Sequence, residues 1–329
     1  MNPQPSQQDL LKLALSLSDR SNAAPSSTSG TDIEWLKQML SSLETTEQKV
    51  QRMLGELGAP TTSVASLQTL LQELQECAED LDVAVQIAAS ASELLVRLLA
   101  HDVAAVRQWA AFVVATCAMN NRRASLSLLD AGALVQVMAR LAVDNEDDAV
   151  VNKFVTALSA LTNDALPARV HFLANGGVAV LEAVLSRSVT RGTRAKVFYV
   201  AKKLLVANGV HASSAFATAR FLQLTVAALS SGGGSDDDDN NDSVRTNAAA
   251  VIGALLQPTV SQEALVHLRN CGFQAVANER LSALRGAGDG IASEHEDEVA
   301  SIQQALSAFQ SAHTVAAVPH VQVSVPLLM

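Results

Sequence analysis

The sequence lacks the features that several common classes of protein need. Its formal net charge is -10, whereas a protein that binds nucleic acid needs a surplus of basic residues to neutralise phosphates. The N-terminus has no basic region, and the short apolar run Leu10 to Leu17 is interrupted by Lys12. Such a run is a poor signal peptide and is too short to span a membrane. We therefore expect a cytoplasmic protein that binds neither nucleic acid nor membranes.

Cysteine is scarce, and so are the patterns that hold metals or disulfides. The three residues, Cys77, Cys117 and Cys271, are an odd number and lie inside apolar helical patterns. This arrangement predicts reduced, buried thiols in a reducing compartment. Asp236 to Asp239 lack the alternating ligands and distal Glu of a calcium loop, and no two histidines have the i, i+4 spacing of a zinc site. We expect no metal ion.

The motifs of enzymes are missing as well. No glycine-rich phosphate-binding loop and no dinucleotide fingerprint occur, and Gly232 to Gly234 precede four aspartates, the wrong charge for binding phosphate. No nucleophile, base and orienting group fall into a recognisable set. The sequence therefore predicts no catalytic residues and no cofactor, which leaves binding to another protein as the expected function.

What the sequence does contain is a helical repeat. Hydrophobic residues make up 49% of the chain, and Ala and Leu dominate them, which favours closely packed helices. Turn segments recur around Gly132, Gly176 and Gly272, with Ala219 in the corresponding place of one copy, and Gly132 and Gly176 are 44 residues apart. A period in the low forties is typical of armadillo or HEAT units. We predict an all-α, armadillo-like right-handed solenoid with helical caps at both ends.

The same pattern divides the chain into four regions. Residues 1–30 are predicted to be a flexible arm with a short apolar helix, and residues 31–80 to be N-terminal capping helices. The repeats are predicted over residues 81–285, with an acidic loop inserted at 231–243. Residues 286–329 are predicted to be a C-terminal capping helix and a frayed tail, because a solenoid needs a polar outer face at its end.

Each repeat contains a long apolar helix that we predict to line the inner face. These helices are predicted at Val106 to Met119, Val150 to Asn163, Thr193 to Val206 and Val244 to Gln257. Positions i, i+3 and i+7 of one helix share a face, so aligned helices form a continuous strip. The predicted partner-binding residues of this strip are Arg107, Trp109, Lys153, Arg194, Lys196, Tyr199, Lys203 and Asn247.

Two interpretations of these residues remain open at this stage. The lysines and arginines are either an ordinary solvated surface or a basic groove that meets an acidic partner. The aromatic rings of Trp109 and Tyr199 are either core packing or anchors for that partner.

Several segments in the same order resemble a known family. They are Leu10-Leu11-Lys12-Leu13-Ala14, Glu34-Trp35-Leu36, Arg107-Gln108-Trp109-Ala110-Ala111, and Lys196-Val197-Phe198-Tyr199-Val200 followed by Leu204-Leu205-Val206. Together they resemble the armadillo-type nucleotide-exchange factors of the 70-kDa heat-shock chaperones, over Leu10 to about Leu284. The sequence departs from the family's pattern at Val83, Lys202 and Lys203 and in the acidic insertion.

The resemblance implies a function and a partner. Such factors hold one lobe of the chaperone's ATPase domain with their concave face, so that ADP leaves and ATP rebinds. It also implies that an apolar N-terminal segment, here Leu10, Leu11, Leu13 and Leu17, helps to release client peptide. We expect a monomer that binds the ATPase domain. The alternative is a generic armadillo adaptor for extended peptides, which would use repeated Trp and Asn side chains, of which only Trp109 fits.

Overall fold

The computed structural model describes residues 44–163, 165–230, 239–256, 261–286 and 295–316. The chain divides into two compact units, Met1–Lys49 and Val50–Met329. Of the first unit the structure describes residues 44–49, where the first helix begins. The predicted arm residues Leu10, Leu11, Leu13 and Leu17 lie outside the described residues, as do residues 231–238 of the acidic loop predicted at 231–243. Residues 239–243 are not a loop as predicted, because a helix begins at Asp239.

The described part of the chain is all-helical and contains no strand, as predicted. The helices are α1 (Thr46–Gly58), α2 (Val64–Cys77), α3 (Leu81–Leu99), α4 (Ala104–Ala118), α5 (Arg122–Asp130), α6 (Ala133–Leu141), α7 (Asp148–Asn163), α8 (Leu166–Ala174), α9 (Gly177–Leu185), α10 (Arg191–Phe216), α11 (Ala219–Ser230), α12 (Asp239–Leu255), α13 (Gln262–Asn270), α14 (Phe273–Gly286) and α15 (Glu296–Ala316).

Repetition is visible in how the helices of the second unit pack. The predicted inner helices correspond to α4, α7, α10 and α12, and each packs against the next in that order. The series extends to α2 before α4 and to α15 after α12. We call these six the inner helices. Other helices lie between successive inner helices. For example, α5 and α6 lie between α4 and α7, and together with α4 they form the three-helix unit of an armadillo solenoid.

The sharp turns between the shorter helices explain the spaced glycines. Gly132, Gly176 and Gly272 have φ values of 90°, 77° and 69°. This left-handed conformation costs little only for glycine, which explains why glycine recurs at these turns. The fourth copy differs from the prediction by one residue, because Ala219 is already the first residue of α11. Thr218 takes the place of the glycine and caps the helix, with its Oγ1 accepting from the Phe221 amide at 3.1 Å.

The core is continuous along the unit and is built mainly from aliphatic side chains and alanines. Its largest buried side chains include Phe154, Phe172, Phe198 and Phe221, each on a different helix. Full burial of such a side chain stabilises a fold by about 1.5–3 kcal/mol. Alanines between them, such as Ala110 and Ala111 on α4, let the inner helices approach closely. In the described residues the three-helix repeats share this one core, so neighbouring repeats stabilise one another through the surfaces at which they pack.

The predicted C-terminal helix is present as α15, with Ile302, Leu306 and Phe309 buried against the rest of the unit. It packs against α12 and α14, so it completes the last three-helix unit.

Within the described residues, no single helix is long and apolar enough to cross a membrane, although two bent pairs, α5 with α6 and α8 with α9, meet the length and composition criterion together.

Candidate functional site

The predicted strip residues on α4, α7 and α10 lie on neighbouring helices, and their register is clearest on α10. Lys196, Tyr199 and Lys203 are exposed, whereas Val197, Phe198, Val200 and Leu204 between them are buried. Positions i, i+3 and i+7 project from one side of a helix with 3.6 residues per turn. The apolar side chains of α10 are therefore the cause of the orientation, since burying them leaves the three polar positions facing outward.

Aromatic rings form the α4 end of the strip. Trp109 is half-buried and packs against the core, and its ring centroid lies 5.9 Å from that of Phe112. The Lys153 ammonium on α7 lies 3.3 Å from the centroid of the Phe112 ring. This cation–π contact joins α4 to α7 and is worth about 0.5–2 kcal/mol, depending on how far the ammonium is desolvated. Burial lowers the pKa of Lys153.

Lys196 continues the strip from α7 to α10. Its ammonium donates to Asn152 Oδ1 at 2.7 Å and to Thr156 Oγ1 at 3.0 Å, both on α7. Its pKa is lowered by desolvation and, to a smaller extent, by the charge of Lys153. Two lysines close enough to repel each other, on an acidic protein, form a local site that favours an anionic group.

The last part of the strip surrounds Tyr199. The ammonium groups of Lys202 and Lys203 each lie 5.3 Å from the Tyr199 ring centroid. Lys203 donates to Asn163 Oδ1 on α7 at 2.5 Å, and Lys202 donates to Asn247 Oδ1 on α12 at 3.0 Å. Asn247 therefore lies beside the strip, and its hydrogen bond with Lys202 connects α12 to α10.

Two of the predicted residues lie away from this surface. Arg107 is buried, and its guanidinium donates to Glu146 Oε2 at 2.6 Å and to the carbonyls of His101 and Asp102 at 2.7 and 2.8 Å. Arg107 connects α4 to the segment that precedes α7, so its guanidinium is unavailable to a partner protein. Arg194 is two positions from Lys196, about 200° around the helix, and donates to the Arg187 carbonyl at 3.3 Å.

The structure also shows residues that the sequence prediction of partner-binding residues left out. Phe112 holds the Lys153 ammonium, and the side-chain oxygens of Asn152, Thr156 and Asn163 hold the lysines of the next helix. These contacts run between residues about forty positions apart, which is the length of one repeat. An alignment of the repeats could have suggested them, because each acceptor lies on the inner helix that precedes its lysine.

One group of potential metal ligands occurs among the described residues: Asp242, His295 and Glu298. Glu298 is buried and accepts from Arg245 Nε at 2.9 Å and from Arg280 Nε and Nη2 at 2.8 and 3.1 Å. Two guanidinium groups therefore occupy the carboxylate that a cation would need. The cluster is an ion-pair network that fastens α15 to α12 and α14.

The family model of the SIL1/FES1/HPBP1 C-terminal domain matches residues 84–220. The comparison with curated proteins gives no match. The matched range contains α4, α7 and α10, and so it contains every described residue of the strip except Asn247.

Several solved structures have the same fold. An engineered protein is similar with a TM-score of 0.64 at 22% identity, over 80% of this chain and 98% of that chain. A designed armadillo repeat protein in complex with the peptide (KR)4 is similar with a TM-score of 0.61 at 19% identity, over 79% and 99% of the two chains. Uso1-2 is similar with a TM-score of 0.62 at 13% identity, over 99% of this chain and 56% of that chain. These similarities confirm the predicted armadillo-type solenoid.

Proposed function

We propose that this protein, which carries a SIL1/FES1/HPBP1 C-terminal domain at residues 84–220, is a nucleotide-exchange factor of a 70-kDa heat-shock chaperone. The family match is the observation that carries the proposal, because the matched residues include the helices that bear the strip. The protein works by binding and not by catalysis. The proposal includes a cytoplasmic monomer whose partner is the chaperone's ATPase domain.

The strip has the charge and the aromatic side chains that binding to an ATPase domain with an acidic surface would require. Lys153, Lys196 and Lys203 offer positive charge to an acidic surface, and the Trp109 and Tyr199 rings offer apolar area beside it. Complementary charge speeds association and selects the partner, and aromatic side chains supply much of the binding energy of an interface. Acceptors on α7 hold Lys196 and Lys203, and the Phe112 ring holds Lys153, so little side-chain entropy remains to be lost on binding.

Exchange follows if the strip fits one state of the ATPase domain better than another. An exchange factor that binds the open lobe arrangement more tightly shifts the population of the ATPase domain toward that arrangement. By linkage, the affinity of the domain for ADP falls by the same ratio by which ADP weakens binding of the exchange factor. A coupling free energy of about 1–3 kcal/mol, which is typical of two linked binding sites, corresponds to an affinity for ADP that is about 5- to 150-fold lower. The N-terminal arm, with Leu10, Leu11, Leu13 and Leu17, is proposed to assist client release from the same complex at high effective concentration.

The alternative function is an armadillo adaptor for extended peptides. One similar designed protein is solved with the basic peptide (KR)4. The strip described above carries the same sign of charge as that peptide, so an acidic partner is favoured. Asn163, which an adaptor would need to present to the peptide backbone, accepts from Lys203 instead.

The decisive experiment measures release of a fluorescent ADP analogue from a 70-kDa chaperone in a stopped-flow instrument. We expect the full chain to accelerate release in a saturable manner. Binding without acceleration would favour the adaptor, and the absence of both binding and acceleration at saturating protein would refute the proposed function.

A further inference from the structure

A groove lies beside the strip, between the C-terminal end of α7 and the middle of α10. Its volume is about 310 Å³. This is at the lower end of the range for ligand sites, so it suits one or two side chains of a peptide. The lining residues are Ser159, Thr162, Asn163, Arg169, Val200, Lys202, Lys203, Leu204, Val206 and Ala207.

An exposed apolar side chain lies in the wall of this groove. Val206 is 74% exposed, and Ala207 follows it in the lining. A single exposed valine is common on protein surfaces, so it is the combination of this valine with the basic residues of the same lining that points to a ligand.

A hydrogen bond network fixes the two walls. Arg169 on α8 donates to the Asn163 carbonyl at 2.7 Å, to the Thr162 carbonyl at 3.3 Å and to Asn208 Oδ1 at 3.3 Å. Arg169 therefore holds α8, the end of α7 and α10 at constant separation. A groove that is formed before binding loses less entropy when a ligand enters.

The charge of the groove defines what fits it. The charged residues of the lining are Arg169, Lys202 and Lys203, and all three are basic. The Arg169 guanidinium lies at the carboxyl end of α7, where it offsets the partial negative charge of the helix. The Lys203 ammonium donates to Asn163 of the lining and lies beside Tyr199, whereas the Lys202 ammonium donates to Asn247 on α12.

We propose that this groove binds an acidic peptide segment with one apolar side chain, which enters against Val206 and Ala207 while its neighbouring carboxylate pairs with Lys203. The segment is part of a protein partner, because the groove is continuous with the strip through Lys203. The inference goes beyond nucleotide exchange, since it assigns to a groove that shares Lys203 with the strip a ligand chemistry of its own.

The test uses the full chain with labelled valine methyl groups and three short blocked peptides. The first contains aspartate, leucine and glutamate, the second replaces its acids by lysines, and the third replaces its leucine by glycine. We expect saturable shifts of the Val206 methyl signals with the first peptide only, and no shift of Val135, which is exposed on α6. Val206→Ser and Lys203→Gln should each weaken binding, by up to about tenfold for the loss of the valine contact.

Each other result overturns the proposal. Shifts with the basic peptide would show that charge does not select the ligand, and equal shifts with the leucine-free peptide would show that the apolar wall is unused. Shifts at Val135, or none at Val206, would show that the groove binds no such segment. No chaperone is present in this titration, so its failure leaves the exchange function standing, and a failed exchange assay leaves the groove standing.

Discussion

Asn120 and Gly209 share a positive φ, 53° and 50°, at two places where an inner helix gives way to the first helix of the next unit. Asn120 lies between α4 and α5, and Gly209 lies within α10, where it bends the helix between Val206 and Phe216. The non-helical backbone at Gly209 divides α10 into two helical segments, much as Asn120 separates α4 from α5. Each of the two residues therefore marks the turn from an inner helix to the helix that follows it.

We predict that Gly209→Ala destabilises the fold by about 1–3 kcal/mol. The combination of φ 50° and ψ -125° is accessible to glycine and strained for residues with a Cβ atom. Space is not the cause, since a Cβ at Gly209 would meet no atom within 4 Å. Urea unfolding followed by circular dichroism measures the change.

A matched control is Gly55→Ala on α1. A Cβ at Gly55 also meets no atom within 4 Å, but its backbone is helical. There the substitution should stabilise by about 0.4–1 kcal/mol, because it reduces the freedom of the unfolded chain. If Gly209→Ala stabilised the fold as Gly55→Ala is expected to do, the conformation at Gly209 would be one that alanine adopts without strain.

The buried carboxylate of Glu146 gives a second prediction. It is paired with Arg107 and Arg140, and its side chain is only 4% exposed. Glu146→Gln would leave two guanidinium groups without a counter-charge, and removal of one partner from a buried ion pair costs about 3–5 kcal/mol. The pKa of Arg140 is already lowered by desolvation and by the charge of Arg107. A fall in the free energy of unfolding, measured with urea, is the expected result.

The control for Glu146 is Asp144→Asn. Asp144 pairs with Arg187 but is 85% exposed, so its loss should cost no more than about 1 kcal/mol. Equal effects of the two substitutions would mean that water reaches the Glu146 carboxylate.

The strip gives the third prediction. Lys153→Glu with Lys196→Glu should weaken binding of the chaperone ATPase domain by at least about tenfold, because attraction becomes repulsion at the centre of the interface. Arg122→Glu with Arg123→Glu changes the net charge equally at two exposed residues of α5, away from the strip, and should have a small effect. Calorimetric titration measures the affinity, and circular dichroism verifies the fold. If the affinity of the Lys153→Glu, Lys196→Glu variant were unchanged, the strip would not be part of the interface.

The fold could be predicted because local sequence features, the turn glycines and the apolar period of the helices, determine each repeat. Gly132 and Gly176 mark their turns by a conformation that other residues avoid, and the apolar period of α4 and α7 defines the inner helices. Thr218 was missed because a helix cap with a hydroxyl group can replace a glycine turn, and the sequence pattern alone does not distinguish the two.

The site could be predicted only in part, for a different physical reason. The spacing of Lys196, Tyr199 and Lys203 on one helix determines which face they share. Arg107 lies two positions before Trp109, about 200° around α4, so the helical period alone is enough to exclude it from the strip. Its pairing with Glu146, thirty-nine positions later, could not be predicted, because it depends on how α4 packs against its neighbours. The acceptors Asn152 and Asn163 lie between these two cases, because an alignment of the repeats places each of them on the inner helix before its lysine.

The final prediction separates the two parts of the proposed function. Deletion of residues 1–30 should leave acceleration of ADP release intact, because the strip lies on α4, α7 and α10, and it should slow release of a labelled client peptide. A matched full-length variant, with Leu10, Leu11, Leu13 and Leu17 replaced by serine, keeps the tether but removes the apolar side chains that would enter a peptide groove. Both proteins should slow client release to the same extent. If the deletion abolished nucleotide exchange, or if the serine variant released client at the normal rate, the proposed division of labour between arm and solenoid would be wrong.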